Sequence, residues 1–173
     1  MIEILRLKRL GKDMFMKRSI LVLSLLFVWI ACSEKSEIAV PEKIGHQEKA
    51  RVISGTEAIK IIDEMHGLAV APRANIIAEY GNKPKDVLYI SYYAEQEDAQ
   101  KAFKLMIDKM LKAENGPFSH VRILNGYDER VYIALGMGAV HYIYRSTHYL
   151  LWLQTYQKIG RELPEALLSL YPI

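Results

Sequence analysis

Hydrophobic and polar positions along the chain follow two periods, and the change from one to the other divides the sequence into helices and strands. Within residues 54–65 the letters SGTE spell a helix start, and the apolar residues after them recur at helical spacing. Residues 95–113 keep the same spacing over three turns. A short third helix is expected from about Leu163, with Pro164 in its first turn. The pattern therefore predicts three amphipathic helices.

Strands are predicted where apolar and polar residues alternate, because a half-buried strand shows a period of two. This period marks the four stretches SHVRIL, RVYIALG, AVHYIY and HYLLWLQTY, whereas NIIAEY and DVLYISYY are predicted as strands from their β-forming residues. Short connections such as GNKPKD, NGYDE and RST favour antiparallel pairing of neighbouring strands. The element order α-β-β-α-β-β-β-β-α predicts an α+β fold. We expect a single, mostly antiparallel sheet of about six strands with the helices packed on one face.

The beginning of the chain follows a third pattern. Lys17 and Arg18 precede the apolar stretch 20–31, in which Ser24 is the single polar residue. As a helix this stretch is about 18 Å long at ~1.5 Å per residue, whereas a membrane span needs roughly 20 apolar residues. A basic start followed by a short apolar stretch is typical of a secretory signal peptide.

The apolar stretch ends in Ala31 and Cys32, and Cys32 is the single cysteine of the chain. This ending resembles the lipobox of bacterial prelipoproteins. The resemblance implies that the signal is cut before Cys32 and that this cysteine carries a diacylglyceryl group, which anchors the protein outside the cytoplasm. Two or three acyl chains give the stable anchoring that one chain does not. Ser33 implies the outer membrane, facing the periplasm, if the organism is Gram-negative.

These features predict three segments. Residues 1–31 are expected to form the signal peptide, whose true start is expected at Met14 or Met16 because Met16-Lys-Arg is a compact basic start. Residues 32–52 are charged and aperiodic, and are expected to be the lipidated cysteine and a flexible tether. Residues 53–173 are expected to fold as a single α+β domain. The alternative for the first segment is an uncleaved anchor in which the cysteine is an idle thiol.

Charge is distributed unevenly between the leader and the rest of the chain. The first 32 residues hold six of the 23 basic residues and two of the 20 acidic ones. The remainder therefore carries one net negative charge. A folded part without a basic excess argues against nucleic acid as a partner.

One face of the predicted sheet concentrates residue types that bind ligands. A turn centred on Ser146 and Thr147 would pair His141 with Trp152 and Arg145 with His148, so that these four share a face. If the helices cover the opposite face, strand alternation leaves an open face with these residues: His120, Arg122, Arg130, Tyr132, His141, Arg145, His148 and Trp152, with Tyr89, Ser91 and Tyr93 next to them.

Three interpretations of this open face remain. It is a solvated sheet surface, a recognition surface or a metal site. Arginines and aromatic rings with polar tips suit an anionic or sugar-like ligand or a protein partner. The residues of the recognition surface are then Arg122, Arg130, Tyr132, His141, Arg145, His148 and Trp152. Imidazoles are common metal ligands, and the residues of a metal or haem site are then His120, His141 and His148.

No catalytic motif supports an enzyme. The sequence lacks a Gly-x-Ser-x-Gly elbow, a His-Glu-x-x-His zinc motif and a Cys-x-x-Cys-His haem attachment. The run LYISYYAEQEDAQKAFKLM resembles a strand-then-helix pattern common in secreted bacterial proteins, which implies no particular activity. We therefore expect a membrane-anchored, non-enzymatic binding or accessory module without a cofactor, acting on an envelope protein or cell-wall component. The alternative is a periplasmic metal- or haem-handling protein.

Overall fold

A computed structural model describes residues 38–66, 72–157 and 163–173 of the chain. These residues belong to a unit that extends from Ile38 to Ile173. The predicted signal peptide, Cys32 and the beginning of the predicted tether lie outside the described residues. None of the helices in the described part is long and apolar enough to span a membrane.

The described elements are eight strands and three helices. The strands are β1 Lys43–Ile44, β2 Gln47–Ser54, β3 Ala74–Tyr80, β4 Asp86–Tyr92, β5 Phe118–Ile123, β6 Val131–Gly136, β7 Ala139–Ser146 and β8 Tyr149–Thr155. The helices are α1 Gly55–His66, α2 Gln96–Lys112 and α3 Glu165–Leu170. All strands pair antiparallel in the order β1-β2-β3-β4-β8-β7-β6-β5, which forms a half-barrel sheet. The three predicted helices and the six predicted strands are confirmed in position to within two or three residues.

The predicted α+β fold with about six strands is wrong, because the described residues form mostly sheet with few helices. Two further strands come from the segment expected to be a tether. β2 pairs with β3 from Lys49 opposite Tyr80 to Ser54 opposite Ile76. Its side chains are mostly polar and exposed, so the alternation of apolar residues that marks a strand is missing. Main-chain hydrogen bonds to its neighbours hold a strand of this kind, and they do not depend on apolar side chains.

The prediction that all helices pack on one face is also wrong. α1 and α2 pack on one face of the sheet, against Ile77 of β3 and Ile143 of β7, and we call this the α1–α2 face. The other face is the tyrosine face, where Leu167 of α3 joins the core. The sheet residues of the tyrosine face are Ala78, Tyr80, Leu88, Ile90, Val131, Tyr142, Tyr144, Leu151 and Leu153.

Burial on both faces explains why alternation along the central strands misled the prediction. Four consecutive residues of β8, Leu150–Leu153, are buried, and so are the four consecutive residues His141–Tyr144 of β7. A strand covered on both sides is apolar on both sides, and its sequence does not reveal which face carries the helices. The sheet therefore has a covered face where an open one was expected.

Candidate functional site

Helix α2 covers the part of the sheet that was predicted to be open. Its buried residues Phe103, Met106 and Ile107 pack in one cluster with Trp152 of β8. His141 is completely buried and Trp152 is 6% exposed. Neither side chain is therefore available to a ligand, and their predicted place on an open recognition surface is wrong.

His141 and Trp152 instead form a hydrogen-bonded pair under α2. The indole Nε1 of Trp152 donates to Nδ1 of His141 over 2.9 Å, and Nε2 of His141 donates to the main-chain oxygen of Gly136 over 3.0 Å. Because an indole can only donate and a carbonyl can only accept, the imidazole is the neutral Nε2–H tautomer. Phe118 packs against both rings, T-shaped with His141 at a centroid distance of 5.0 Å and tilted with Trp152 at 5.3 Å. Burial lowers the pKa of His141.

This arrangement removes the central member of the predicted metal site. Both ring nitrogens of His141 are used inside the protein, which leaves no lone pair for a metal. His120 lies on the edge strand β5, exposed, with Nδ1 at 3.2 Å from Ser119 Oγ. His148 lies in the turn between β7 and β8, where its ring is 6.1 Å from that of Tyr92. Among the described residues, no three His, Cys, Asp or Glu side chains are placed to hold a metal ion.

A bulge in β5 separates Arg122 from the other arginines. Ser119 lies opposite Leu135 and Arg122 opposite Ile133, so β5 uses one residue more than β6 between these two pairs. The extra residue, with His120 at φ 55°, moves Arg122 to the tyrosine face. Arg122 is exposed there, away from the α1–α2 face that carries Tyr132.

Three of the predicted residues do lie together, at the edge of α2. Arg130, Tyr132 and Arg145 line one side of a groove of about 460 Å³, whose other side is α2. We call it the α2 groove, and its lining residues are Gln100, Phe103, Lys104, Ile107, Asp108, Leu111, Asp128, Glu129, Arg130, Tyr132 and Arg145. The rings of Phe103 and Tyr132 meet edge to face with centroids at 5.9 Å. The groove therefore combines an aromatic wall with charged rims.

Two of the positive charges in the α2 groove are held by neighbouring acids. Lys104 pairs with Asp108 one helical turn away at 3.1 Å. The guanidinium of Arg130 holds Asp128 through Nε at 2.9 and 2.8 Å and through Nη2 at 2.7 Å. The hydrogen bonds from Arg130 lower the pKa of Asp128, and Asp128 in turn raises the pKa of Arg130.

Arg145 differs from these two cations. It is half-buried, and its main-chain N–H donates to the Arg130 oxygen over 3.1 Å, which fixes its strand position. Its guanidinium makes no ion pair with any residue in the described parts of the chain. A guanidinium presents planar, paired donors that suit a carboxylate or phosphate. The charge of Arg145 also lowers the pKa of the nearby Asp128, but no acid of the described residues lies within ion-pair distance of this guanidinium, so its donors remain available to an anion.

The residues of α2 that line the groove, and the acids Asp128 and Glu129, were missed in the sequence. Phe103 and Ile107 were assigned to the core stripe of α2, and the pair of Lys104 and Asp108 has the spacing of an ordinary surface ion pair. The available signal was that this pair borders the apolar stripe. It became informative only when α2 was placed on the face that carries Arg145.

A second cavity, of about 480 Å³, lies at the other end of the sheet, and its buried carboxylate is hydrogen-bonded within the protein. Asp86 is 1% exposed and accepts from the Tyr156 main-chain N–H at 2.9 Å and from the Gln157 amide. The Gln157 amide also reaches the Ile44 oxygen at 3.4 Å. These bonds join β1, β4 and the end of β8, so we assign this cluster a structural role.

Comparisons with known proteins give no family. No family model matches the chain, and neither a curated protein nor a solved structure matches it. The α2 groove is thus interpreted from its own chemistry.

Proposed function

We propose that this protein is a lipid-anchored, non-enzymatic binding module of the cell envelope, which holds an anionic group of its partner in the α2 groove. Cys32 at the end of the signal-like stretch supports the anchor. The α2 groove supports the binding role. The partner is an envelope protein or cell-wall component that carries a carboxylate or phosphate group.

The observation that carries this proposal is the unpaired guanidinium of Arg145 beside an aromatic wall. Hydrogen bonds to a charged group contribute about 1.5–3 kcal/mol, roughly twice as much as neutral ones. Tyr132, which is partly exposed, and Leu111, which is 54% exposed, offer apolar surface to the body of a ligand whose charged end reaches Arg145. Charge and surface together suit an anion carried on an aromatic or aliphatic body.

The ionisable groups of the groove favour binding over acid–base catalysis. A general base at neutral pH works best with a pKa near that pH. The hydrogen bonds from Arg130 shift the pKa of Asp128 downward, away from that range. Asp108 already pairs with Lys104. Asp128 is therefore a fixed charge of the groove rather than a group ready to exchange a proton.

The binding role is tested by calorimetric titration of the detergent-solubilised protein with phenyl phosphate, a small aromatic anion. We expect saturable binding that Arg145→Gln weakens about tenfold, which corresponds to about 1.4 kcal/mol. Glutamine keeps the length of the side chain approximately and removes the charge. Circular dichroism and urea unfolding establish that the variant is folded.

Arg122→Gln is the matched control, because Arg122 is exposed on the opposite face of the sheet. It should bind phenyl phosphate as the unaltered protein does. Absence of saturable binding, or an equal loss in both arginine variants, would refute recognition of an anion by this groove.

The anchor is tested separately, by the intact mass of the protein extracted from its native membranes. We expect a chain that begins at Cys32 and carries a diacylglyceryl group. A chain that still contains residues 16–31 and no lipid would show an uncleaved anchor instead.

A further inference from the structure

The α2 groove is lined by as many acidic as basic side chains. Its charged residues are Lys104, Asp108, Asp128, Glu129, Arg130 and Arg145. Lys104 pairs with Asp108, and Arg130 pairs with Asp128, so four of the six charges are paired within the groove. One basic side chain, Arg145, and one acidic side chain, Glu129, remain.

Glu129 resembles Arg145 in having no ion-pair partner. It is exposed in the turn that leads into β6, and no basic nitrogen in the described parts of the chain lies within 4.0 Å of its carboxylate. Arg145 and Glu129 therefore line the same groove without forming an ion pair with each other.

The strand pairing places these two residues close together. The Arg145 main-chain N–H donates to the oxygen of Arg130, which Glu129 directly precedes in the chain. Opposed residues of an antiparallel pair are about 5.5 Å apart and consecutive Cα atoms about 3.8 Å, so the Cα atoms of Glu129 and Arg145 lie within about 9 Å of each other. The charge of Arg145 also acts on Asp128, the other neighbour of Glu129, by lowering its pKa. The guanidinium is thus near the acidic turn.

A ligand that carries only an anion fits this arrangement incompletely. Its charge is attracted by Arg145 and repelled by Glu129, and like charges brought together in a binding site reduce affinity. A positive group beside the anion offsets this repulsion and gives Glu129 a partner. A free α-amino acid has both groups, an ammonium and a carboxylate, on one carbon atom.

We infer that the α2 groove recognises the zwitterion of an α-amino acid, whose carboxylate binds Arg145 and whose ammonium group binds Glu129. This inference rests on the proposed function, because it assigns a chemical class to the group that is held in the same groove. Tyr132 and Leu111 offer surface to an apolar or aromatic side chain of this amino acid. The anionic group of the partner is then a carboxylate rather than a phosphate.

The test compares two probes that differ only in the ammonium group. L-Phenylalanine and 3-phenylpropanoate share the phenyl ring and the carboxylate, and calorimetric titration of the detergent-solubilised protein measures the affinity for each. We expect phenylalanine to bind about fivefold more tightly, which is the upper end of what one solvent-exposed ion pair contributes. This comparison uses the unaltered protein and does not depend on the folding of a variant.

Glu129→Gln should abolish the preference for phenylalanine, because the amide keeps the size of the side chain and removes its charge. Arg145→Gln should weaken the binding of both probes. Glu114→Gln is the matched control, since Glu114 is also exposed but does not line the groove. This control should keep the preference for phenylalanine unchanged.

Equal affinity for the two probes, or a preference for phenylalanine that survives in Glu129→Gln, would overturn the assignment to an amino acid. Saturable binding of phenyl phosphate alone would overturn it as well, and both results would leave the proposed recognition of an anion in place. Absence of saturable binding of all three probes would overturn the proposed function and this inference together.

Discussion

At the scale of single residues, the hydrogen bond from Trp152 to His141 determines what the imidazole does. Trp152 and Gly136 use both ring nitrogens, and burial lowers the pKa of His141 from its ordinary value of 6.5. The folded state therefore resists protonation of a side chain that the unfolded state protonates readily. His141 makes the protein sensitive to acid without taking part in binding.

The free energy of unfolding should accordingly fall as the pH drops below about 6.5. Below this pH the unfolded chain takes up a proton at His141 that the folded protein does not, so protonation favours unfolding. His141→Gln keeps one donor and one acceptor and removes the titration. We expect the variant to be less stable at neutral pH but to show a smaller loss on acidification, measured by urea unfolding at stepped pH values.

His120→Gln serves as the control, since His120 is exposed on β5. A pH dependence that is unchanged in His141→Gln, or reduced equally in both variants, would show that burial of His141 does not couple folding to protonation.

The alternation of residues along the strands predicted part of the candidate site. Arg130, Tyr132 and Arg145 were selected by alternation along β6 and β7, and they do line one groove. His141 and Trp152 follow the same alternation and are buried, because α2 covers their part of the face. Alternation assigns side chains to a face of a strand but does not say what lies above it.

At the scale of elements, β1 and β2 are the part of the fold that hydrophobic periodicity did not predict. Ile44 of β1 is completely buried, although its neighbours Lys43 and Gly45 are polar or small. One apolar residue among charged ones gives no period. β2 forms because it completes the main-chain hydrogen bonding of β3. Its pairing with β1 places Ile44 in the core.

Ile44→Ala should therefore destabilise the protein by about 2–5 kcal/mol, as truncation of a fully buried isoleucine does. A flexible tether at this position would instead tolerate the change without effect. Urea unfolding followed by circular dichroism measures the difference. Ile59→Ala is the control, because Ile59 of α1 is 40% exposed and such substitutions stay within about 0.5 kcal/mol. Equal stability of the two variants would contradict the assignment of β1 to the core.

The bulge in β5 shows that hydrophobic periodicity also fails to predict the register between strands. A single extra residue around His120 reverses the faces of the residues on its two sides. Polar and apolar residues alternate through HVRI, where the bulge lies, so the sequence pattern gives no sign of it. For this reason Arg122 lies on the tyrosine face and does not line the α2 groove.

At the scale of the whole molecule, the half-barrel buries tyrosines from several strands on one face. Tyr80, Tyr144 and Tyr171 all have pKa values raised, chiefly by burial. On the other face, burial and the nearby Asp63 and Asp98 raise the pKa of Tyr93 to about 12. The folded protein therefore keeps these hydroxyls neutral above the pH at which the unfolded chain ionises them.

We expect the free energy of unfolding to fall as the pH rises above 10, the ordinary pKa of tyrosine. Tyr144 is the most informative residue, because it is completely buried and its hydroxyl has no hydrogen-bond partner among the described residues. Tyr144→Phe removes an unsatisfied polar group and one coupled ionisation. The variant should be at least as stable at neutral pH and lose less stability above pH 10, measured by urea unfolding and tyrosinate absorbance.

Tyr156→Phe is the control, since this residue is 40% exposed at the end of β8. A clear loss of stability in Tyr144→Phe at neutral pH would indicate that its hydroxyl does have a partner, and would contradict the expected gain.

The sequence by itself determined the positions of the three helices and six of the strands, because helical and strand periods reflect local backbone geometry. It also placed Arg130, Tyr132 and Arg145 on one side of their strands, and it carries the signal-like ending at Cys32. Each of these depends on neighbours along the chain.

Only the tertiary structure decided the rest. Pairing of β2 with β3 uses main-chain groups that every residue except proline has, so the pattern of side chains does not predict this pairing. The choice of the face that α2 covers depends on distant strands, because β7 and β8 are apolar on both sides. That choice buried His141 and Trp152 and left Arg145 at the groove edge, and long-range packing of this kind has no counterpart in local sequence.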